Sequence, residues 1–175
     1  KLLELDHPPQ IILLDDAFQH RKVKAEFNVL LTPFHNLYAT DILLPTGNLR
    51  EPRSGAKRAD VIIVTKCPES ISESKKNSVI QLLNPEPHQN VFFSWIAYSE
   101  VIKNSFSVKP LNYLLDRKIT LVTGIANSKP LLDYLSSKAL NFEHYNFEDH
   151  HDFSLREIEN LKSKEWILTT EKGCI

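Results

Sequence analysis

Two adjacent carboxylates, Asp15 and Asp16, directly follow the apolar run of residues 11–14. A buried strand that ends in aspartate delivers a carboxylate to the carboxyl edge of a parallel sheet, where ligands bind in such folds. Mg²⁺ prefers one or two carboxylates together with phosphate oxygens. We therefore predict a strand over residues 11–14 and a Mg²⁺ site at its end, with Gln19 and His20 as further polar groups at the same edge.

The two aspartates cannot share one role in this arrangement, because successive side chains of an extended chain point to opposite sides. We expect one carboxylate to face the metal and the other to hold a backbone group or a neighbouring cation. The alternative is a strand that ends in a polar turn, in which one aspartate caps the next element.

A basic segment, "LLPTGNLREPRSGAKRADVIIVTKCP" at residues 43–68, is the second candidate for chemistry. Arginine forks match phosphate oxygens with two parallel hydrogen bonds. Next to a Mg²⁺ site, these cations are predicted to face phosphate; the alternative is a solvated basic loop. The four cations are Arg50, Arg53, Lys57 and Arg58.

The third candidate is "FEDHHDFS", residues 147–154, with its adjacent histidines His150 and His151. Adjacent histidines rarely reach one zinc ion, and no further ligand follows at helical spacing. A histidine beside a carboxylate suits proton handling instead. The alternative is a loop at a helix start whose histidines are incidental.

The elements that must position these residues alternate between apolar, β-branched runs and helical segments. Continuous apolar runs are typical of strands buried on both faces of a parallel sheet, and their alternation with helices predicts an α/β fold. The predicted strands cover residues 11–14, 27–31, 61–65, 91–96, 119–123 and 166–169. Residues 92–106 form an extended, aromatic-bearing stretch without a clear helical period, which is interpreted as a hairpin or linker between two α/β lobes.

The sequence predicts where three helices begin. Ser70 with Glu73, and Ser154 with Glu157, have the spacing of capping boxes, and Asn127 or Ser128 precedes a proline in the first turn of another helix. The buried faces are predicted from apolar spacing. They comprise Ile71, Ser78 and Leu82 in the first helix, Leu131, Leu132 and Leu135 in the second, and Leu155, Ile158 and Leu161 in the third.

Composition excludes several classes of protein. The 175 residues are 42% hydrophobic and 25% charged, with a formal net charge of −1, so nothing draws the chain to nucleic acid. Its two cysteines, Cys67 and Cys174, suit a reducing compartment, and no apolar run is long enough to span a bilayer.

A phosphate-cradling loop of the form GxxxxGK followed by serine or threonine is not found among the four glycines. That loop normally precedes the metal-binding aspartate, and the chain contains no methionine. We therefore expect these residues to be the later part of a longer protein whose phosphate loop lies upstream. This chain alone is expected to show no kinase activity and weak or no ATP binding.

Five motifs taken in order, "LLDDAFQHR", the basic segment, "GIANSKP", "EDHHDFS" and "TTEKG", resemble the tetraacyldisaccharide 4'-kinases, the lipid A 4'-kinases. The resemblance covers essentially the whole chain. Ala17 stands where the family has glycine, and Gly173 stands where it has aspartate. The resemblance implies a P-loop domain (residues 1–90 here), a β-hairpin linker (91–112) and a smaller α/β domain (113–175).

The resemblance also implies an activity, namely transfer of the γ-phosphate of ATP, with Mg²⁺, to the 4'-hydroxyl of a tetraacylated glucosamine disaccharide 1-phosphate. The family works at the cytoplasmic face of the inner membrane of Gram-negative bacteria. By this resemblance Asp15 and Asp16 hold Mg²⁺ and the nucleotide, Asp16 and His150 are catalytic, and the expected substrate contacts are Gln19, His20, Arg50 and Glu51.

Two other classes stay open from the residues alone. "VTKC", residues 64–67, lies at a predicted strand end like the base-reading motif of GTPases, although its aspartate is missing. A non-catalytic α/β module is the other, and the lack of a phosphate loop favours it.

Overall fold

The computed structural model describes residues 7–149 and 151–171. These residues form two compact units that divide between Ile96 and Ala97. Each unit contains a three-stranded parallel sheet, which confirms the prediction of an α/β fold. No helix in the described ranges is both long and apolar enough to cross a membrane.

The first unit is built on strands β1 (Val29–Pro33), β2 (Val61–Thr65) and β3 (Asn90–Phe93), in that spatial order. Helix α1 (Glu73–Leu83) connects β2 to β3, and a short 3₁₀ helix (Arg53–Arg58) precedes β2. The parallel pairing requires crossover connections, and α1 supplies the one between β2 and β3.

Strand β2 alternates between two environments, as the two-residue period of a strand requires. Ile62 and Val64 are completely buried and pack with Val79 and Leu83 of α1 and with Leu37. Burial of such side chains is the main stabilising contribution to the unit.

The opposite face of this sheet is open among the described residues. Leu31 of β1 and Phe92 of β3 flank Ile63 of β2 in register, and both flanking side chains are more than half exposed. Val29, two residues before Leu31, is exposed on the same face. Parallel sheets are usually covered on both faces, whereas residues 7–149 and 151–171 leave one apolar face of this sheet uncovered.

The second unit begins with a hairpin of antiparallel strands β4 (Val101–Lys103) and β5 (Val108–Pro110). At its turn Asn104 Oδ1 accepts hydrogen bonds from the backbone N–H groups of Phe106 and Ser107, both at 2.9 Å. The asparagine side chain thereby replaces a backbone acceptor in the turn.

The sheet of the second unit contains β6 (Ile119–Thr123), β7 (Phe142–Asn146) and β8 (Trp166–Thr169), with β6 in the centre. Helices α2 (Lys129–Ser137) and α3 (Leu155–Lys162) form the two crossovers. Every residue of β6 is buried, which agrees with the continuous apolar pattern of a central strand. The hydrophobic core of the second unit contains residues of β6 and of the segments before and after it. These residues are Leu111, Leu114, Ile119, Leu121, Leu135 and Leu140.

The predicted strand at residues 11–14 is wrong. The segment pairs with no strand of the described sheets, and its four apolar side chains are between 45% and 90% exposed. A strand needs a neighbour for its backbone groups, and within the part of the chain that the structure describes β1 pairs with β2 alone. The aspartates that follow are therefore not carried by a buried strand end.

The helix starts are correct in two cases of three. Ser154 and Glu157 form the predicted capping box of α3, and Ser128 is the N-cap of α2. The first prediction is displaced by two residues, because the Oγ of Ser72, not that of Ser70, accepts the hydrogen bond from Lys75 N–H at 3.3 Å. Consequently α1 buries Val79 and Leu83, while Ser78 and Leu82 are exposed.

Candidate functional site

The two aspartates lie on an exposed turn of the first unit. Asp16 has a backbone φ of 47°, in the left-handed region that aspartate tolerates better than most residues. The turn continues with a hydrogen bond from His20 N–H to the Ala17 carbonyl oxygen at 2.9 Å. Both carboxylates are exposed and accessible to a ligand in solution.

Arg50 contacts Asp16 directly. Its Nη1 donates a hydrogen bond to Asp16 Oδ2 at 3.0 Å, across 34 residues of sequence. The side chains of Arg50 and Asp16 are 61% and 70% exposed, so the ion pair contributes little stability by itself. The contact joins the acidic motif and the basic segment into one candidate site.

Glu51, the next residue, is turned into the unit rather than toward Asp16. Arg58 donates two hydrogen bonds to the Glu51 carboxylate, from Nη1 to Oε2 at 3.0 Å and from Nη2 to Oε1 at 2.9 Å. Arg58 Nη2 also donates to the Phe18 carbonyl oxygen at 3.0 Å, and its guanidinium carbon lies 4.8 Å from the centre of the Phe18 ring. These contacts fix the acidic turn to the basic segment.

Gly55 makes room for this ion pair. A Cβ at position 55 would lie 2.6 Å from the Glu51 carboxyl carbon and 2.7 Å from its Oε2. A side chain at position 55 would therefore require the Glu51 carboxylate to shift, and glycine leaves the carboxylate in its contact with Arg58.

The remaining cations of the basic segment also bond to protein groups. Arg53 Nε donates to the Asp41 carbonyl oxygen at 2.7 Å, and Lys57 forms an ion pair with Glu86 at 2.7 Å. That ion pair raises the pKa of Lys57 and lowers the pKa of Glu86. The prediction that these cations face phosphate stays a prediction, and Arg50 is the cation that bonds to a predicted metal-binding residue, Asp16.

Gln19 and His20 lie in the same turn as the aspartates, and both are exposed. Arg21 N–H donates to the Gln19 carbonyl oxygen at 2.9 Å, which closes the turn behind them. Their proposed contacts with substrate stay a prediction, as does that of Glu51, whose two carboxylate oxygens accept from Arg58.

His150 lies outside the described residues, and its catalytic role stays a prediction. Its neighbour His151 is packed into the start of α3. The His151 Nε2 atom lies 3.2 Å from Glu157 Oε1, and the ring stacks on Phe147 with centroids 4.7 Å apart. His151 therefore belongs to the helix cap of the second unit.

The polar residues that follow two other strands, Cys67 after β2 and Glu171 after β8, are also held by the protein itself. Cys67 is buried after β2, where burial raises the pKa of its thiol. Glu171 pairs with Lys103 at 2.5 Å. The rest of the "TTEKG" motif, from residue 172, lies outside the described residues.

Asp15 and Asp16 are the candidate metal-binding residues of this site. Within residues 7–149 and 151–171 there is no group of three or more histidine, cysteine, aspartate or glutamate side chains that could hold a metal ion. Mg²⁺ needs fewer protein ligands than such a group supplies, because it binds one or two protein carboxylates and completes its coordination shell with water and phosphate oxygens. The exposed, adjacent carboxylates of Asp15 and Asp16 fit this donor set.

Two sets of contacts at the site were not predicted from the sequence. Arg58 was predicted to face phosphate, and its bonds to Glu51 and to the Phe18 carbonyl oxygen were not foreseen. Asp41 was not among the predicted site residues, although it accepts three hydrogen bonds in the loop that leads to Arg50. The aspartate at the start of a turn that contains glycine was the available signal for Asp41.

The parallel α/β units and the acidic turn with its arginine define the class of this protein. It is an α/β protein whose candidate site carries the residue types that bind Mg²⁺ and phosphate. The chain belongs to the tetraacyldisaccharide-1-P 4'-kinase family (LpxK), whose model matches residues 1–175.

Curated relatives support this assignment. The chain is 44% identical to the tetraacyldisaccharide 4'-kinase of Flavobacterium johnsoniae over 179 residues, covering 100% of this chain and 52% of the relative. It is 45% identical to the tetraacyldisaccharide 4'-kinase of Flavobacterium psychrophilum over 180 residues, with the same coverage. The protein of that name from Bacteroides thetaiotaomicron is 38% identical over 191 residues, covering 98% of this chain and 50% of the relative.

The chain thus spans about half the length of the curated relatives it matches. No solved structure matches it significantly.

Proposed function

We propose that these residues form part of an enzyme that transfers the γ-phosphate of ATP to the 4'-hydroxyl of tetraacyldisaccharide 1-phosphate in lipid A biosynthesis. The observation that carries the proposal is the Asp16–Arg50 contact, which unites two motifs of the family at one exposed site. The relatives named tetraacyldisaccharide 4'-kinase support the identity of donor and acceptor.

Asp15 and Asp16 are the residues that would hold Mg²⁺. The ion, when bound, neutralises charge on the transferring phosphoryl group. Arg50 orients Asp16 through its hydrogen bond and presents further N–H donors to an anion, because one of its terminal nitrogens is engaged and its side chain is 61% exposed. Positioning and charge neutralisation are what phosphoryl transfer requires most.

The remaining roles follow from the family pattern. We propose that His150 assists removal of the acceptor hydroxyl proton and that Gln19, His20 and Glu51 contact the substrate. The phosphate loop is expected upstream in the complete protein, with residues 1–90 completing a P-loop domain, 91–112 linking it and 113–175 forming the smaller domain. The complete enzyme would act at the cytoplasmic face of the inner membrane, where its acylated acceptor resides.

The substitution Asp16→Ala in the full-length protein tests the assignment. We expect turnover to fall by at least ~10²-fold, because removing a positioned electrostatic group typically costs that much. The readout is phosphate transfer from ATP to the acceptor as a function of Mg²⁺ concentration, and the Mg²⁺ requirement should rise.

Asp133→Ala is the matched control. Asp133 is a similarly exposed carboxylate that pairs with a basic side chain, Lys129, on helix α2 of the second unit. Its removal should leave turnover and the Mg²⁺ requirement unchanged. A near-normal rate for Asp16→Ala would refute the assignment of this site.

A further inference from the structure

A loop of the first unit, residues 41–50, exposes three consecutive apolar side chains beside the candidate site. Ile42, Leu43 and Leu44 are between 45% and 60% exposed. Single exposed apolar residues are ordinary on protein surfaces, but three in succession on one loop form a patch that a ligand or partner can cover. We refer to residues 42–44 as the apolar patch.

The loop is held firmly in the shape that exposes this patch. The Asp41 carboxylate accepts hydrogen bonds from the backbone N–H groups of Ile42 at 2.8 Å and Asn48 at 3.2 Å, and from the Asn48 side chain at 3.2 Å. These bonds, led by that from Ile42, lower the pKa of Asp41. Arg53 anchors the Asp41 carbonyl oxygen at 2.7 Å.

Backbone pairing across the loop completes this support. Leu44 N–H donates to the Leu49 carbonyl oxygen at 2.9 Å, and Leu49 N–H donates to the Ile42 carbonyl oxygen at 3.0 Å. A Cβ at Gly47 would collide with the Ile42 carbonyl oxygen, so the turn closes tightly only with glycine. The apolar side chains therefore stay exposed because a well-bonded backbone presents them.

The patch is connected directly to the charged site. Leu49, which pairs with both ends of the patch, is followed by Arg50, and Arg50 reaches Asp16 at 3.0 Å. A cation and an apolar surface thus stand side by side on one short loop. The ligand that complements both is amphiphilic, with a polar or phosphorylated head and a hydrocarbon chain.

We propose that the apolar patch binds an acyl chain of the acceptor while Arg50 and the aspartates face its polar head and the transferring phosphate. This inference rests on the proposed function, whose acceptor is an acylated sugar phosphate. It assigns to residues 42–44 a part in selecting acylated over unacylated acceptors. The contact is apolar and adds no chemical step to the transfer.

The double substitution Leu43→Gln/Leu44→Gln in the full-length protein tests this role. Removing two leucine side chains from the proposed contact with the acyl chain should raise the KM for the tetraacylated acceptor by ~10-fold or more. The KM for ATP should not change, and neither should the kinetic constants for the same disaccharide 1-phosphate after its acyl chains are removed. Leu82→Gln is the control, because Leu82 is exposed to a similar degree on α1 of the same unit.

Direct binding separates this inference from the proposed function. Calorimetry would compare the affinity of the full-length protein for diacylated glucosamine 1-phosphate with that for glucosamine 1-phosphate. We expect the acylated probe to bind at least ~10-fold more tightly and the double variant to lose that preference. Tighter binding without phosphate transfer would remove the proposed function and leave the acyl contact standing.

Two results would overturn the inference. One is equal affinity of the unsubstituted protein for the two probes. The other is an equal effect of the double substitution on acylated and unacylated acceptors, which would mean that the patch is covered by another part of the protein and acts on folding.

Discussion

Arg58 holds the acidic turn and the basic segment together. Its guanidinium bonds to both carboxylate oxygens of Glu51 and to the Phe18 carbonyl oxygen, and it lies over the Phe18 ring. The Arg58 and Glu51 side chains are 34% and 18% exposed, so water screens this pair less than the surface pairs of the same unit. Phe18 is two residues from Asp16, which makes Arg58 a positioning residue for the site.

Arg58→Lys is expected to lower the free energy of unfolding of the first unit by about 1–2 kcal/mol, because a lysine ammonium cannot reproduce the two-pronged contact with Glu51. Urea denaturation followed by circular dichroism measures the change. Lys57→Ala is the comparison, since Lys57, whose side chain is 69% exposed, forms a single ion pair with Glu86. Its loss should destabilise the unit less than Arg58→Lys does, and equal costs for the two variants would contradict the role of Arg58.

The residue types of the site were predictable, but their pairing was not. The double aspartate and the nearby arginines were recognisable as ligands of Mg²⁺ and phosphate from their chemistry. Which arginine reaches Asp16 depends on how the chain folds over 34 residues. Nothing local in the sequence distinguishes Arg50, which reaches Asp16, from Arg58, which bonds to Glu51.

Helix α3 is held at its start by a reciprocal cap. The backbone N–H of Ser154 donates to Glu157 Oε2 at 2.8 Å, the Ser154 hydroxyl donates to the same oxygen at 2.7 Å, and Glu157 N–H donates to Ser154 Oγ at 3.4 Å. The hydroxyl and backbone of Ser154, in that order, and then His151 lower the pKa of Glu157. The cap is therefore sensitive to acid.

The pH dependence of this cap has a definite sign. A lowered carboxyl pKa contributes stability that is fully present above the ordinary glutamate pKa of ~4.3 and is lost as the pH falls through the lowered value. Ser154→Ala should raise the Glu157 pKa toward its ordinary value and cause α3 to fray at a higher pH. The carboxyl ¹³C chemical shift of Glu157, followed by NMR during an acid titration, reports that pKa; no rise in the variant would show that the serine does not set it.

Element boundaries were predicted best where burial and capping agree. The predicted strands at 61–65, 119–123 and 166–169 match β2, β6 and β8. Strand β7 was missed because its sequence, "FEHYN", contains neither a continuous apolar run nor a regular alternation of polar and apolar residues. The strand predicted at residues 11–14 was wrong for the opposite reason. This strongly apolar run has the pattern of a strand, but it has no partner strand among those described.

The molecule has two separate hydrophobic cores. Ile62, in the first unit, packs with α1, and Leu121, in the second, packs with α2 and its neighbours. Both side chains are fully buried, and the two clusters have no member in common. Substitutions in one core should therefore leave the contacts of the other intact.

Ile62→Ala and Leu121→Ala should each destabilise the protein by ~2–5 kcal/mol, through lost burial and the cavity that remains. The two effects should add to within ~0.5 kcal/mol in the double variant, because the sites share no partners. Hydrogen exchange measured by mass spectrometry should show faster exchange only in the unit that carries each substitution. Faster exchange across both units from a single substitution would show that the cores are coupled.

The uncovered face of the first sheet has a consequence for the behaviour of the protein in concentrated solution. Leu31 and Phe92 present apolar surface to water on that face, and residues 11–14 expose further apolar side chains elsewhere in the sequence of the same unit. Salts such as sulfate strengthen the tendency of apolar surface to leave water. We therefore expect salting-out of these 175 residues to begin at a lower sulfate concentration than for a sheet covered on both sides, with molecules meeting through this face.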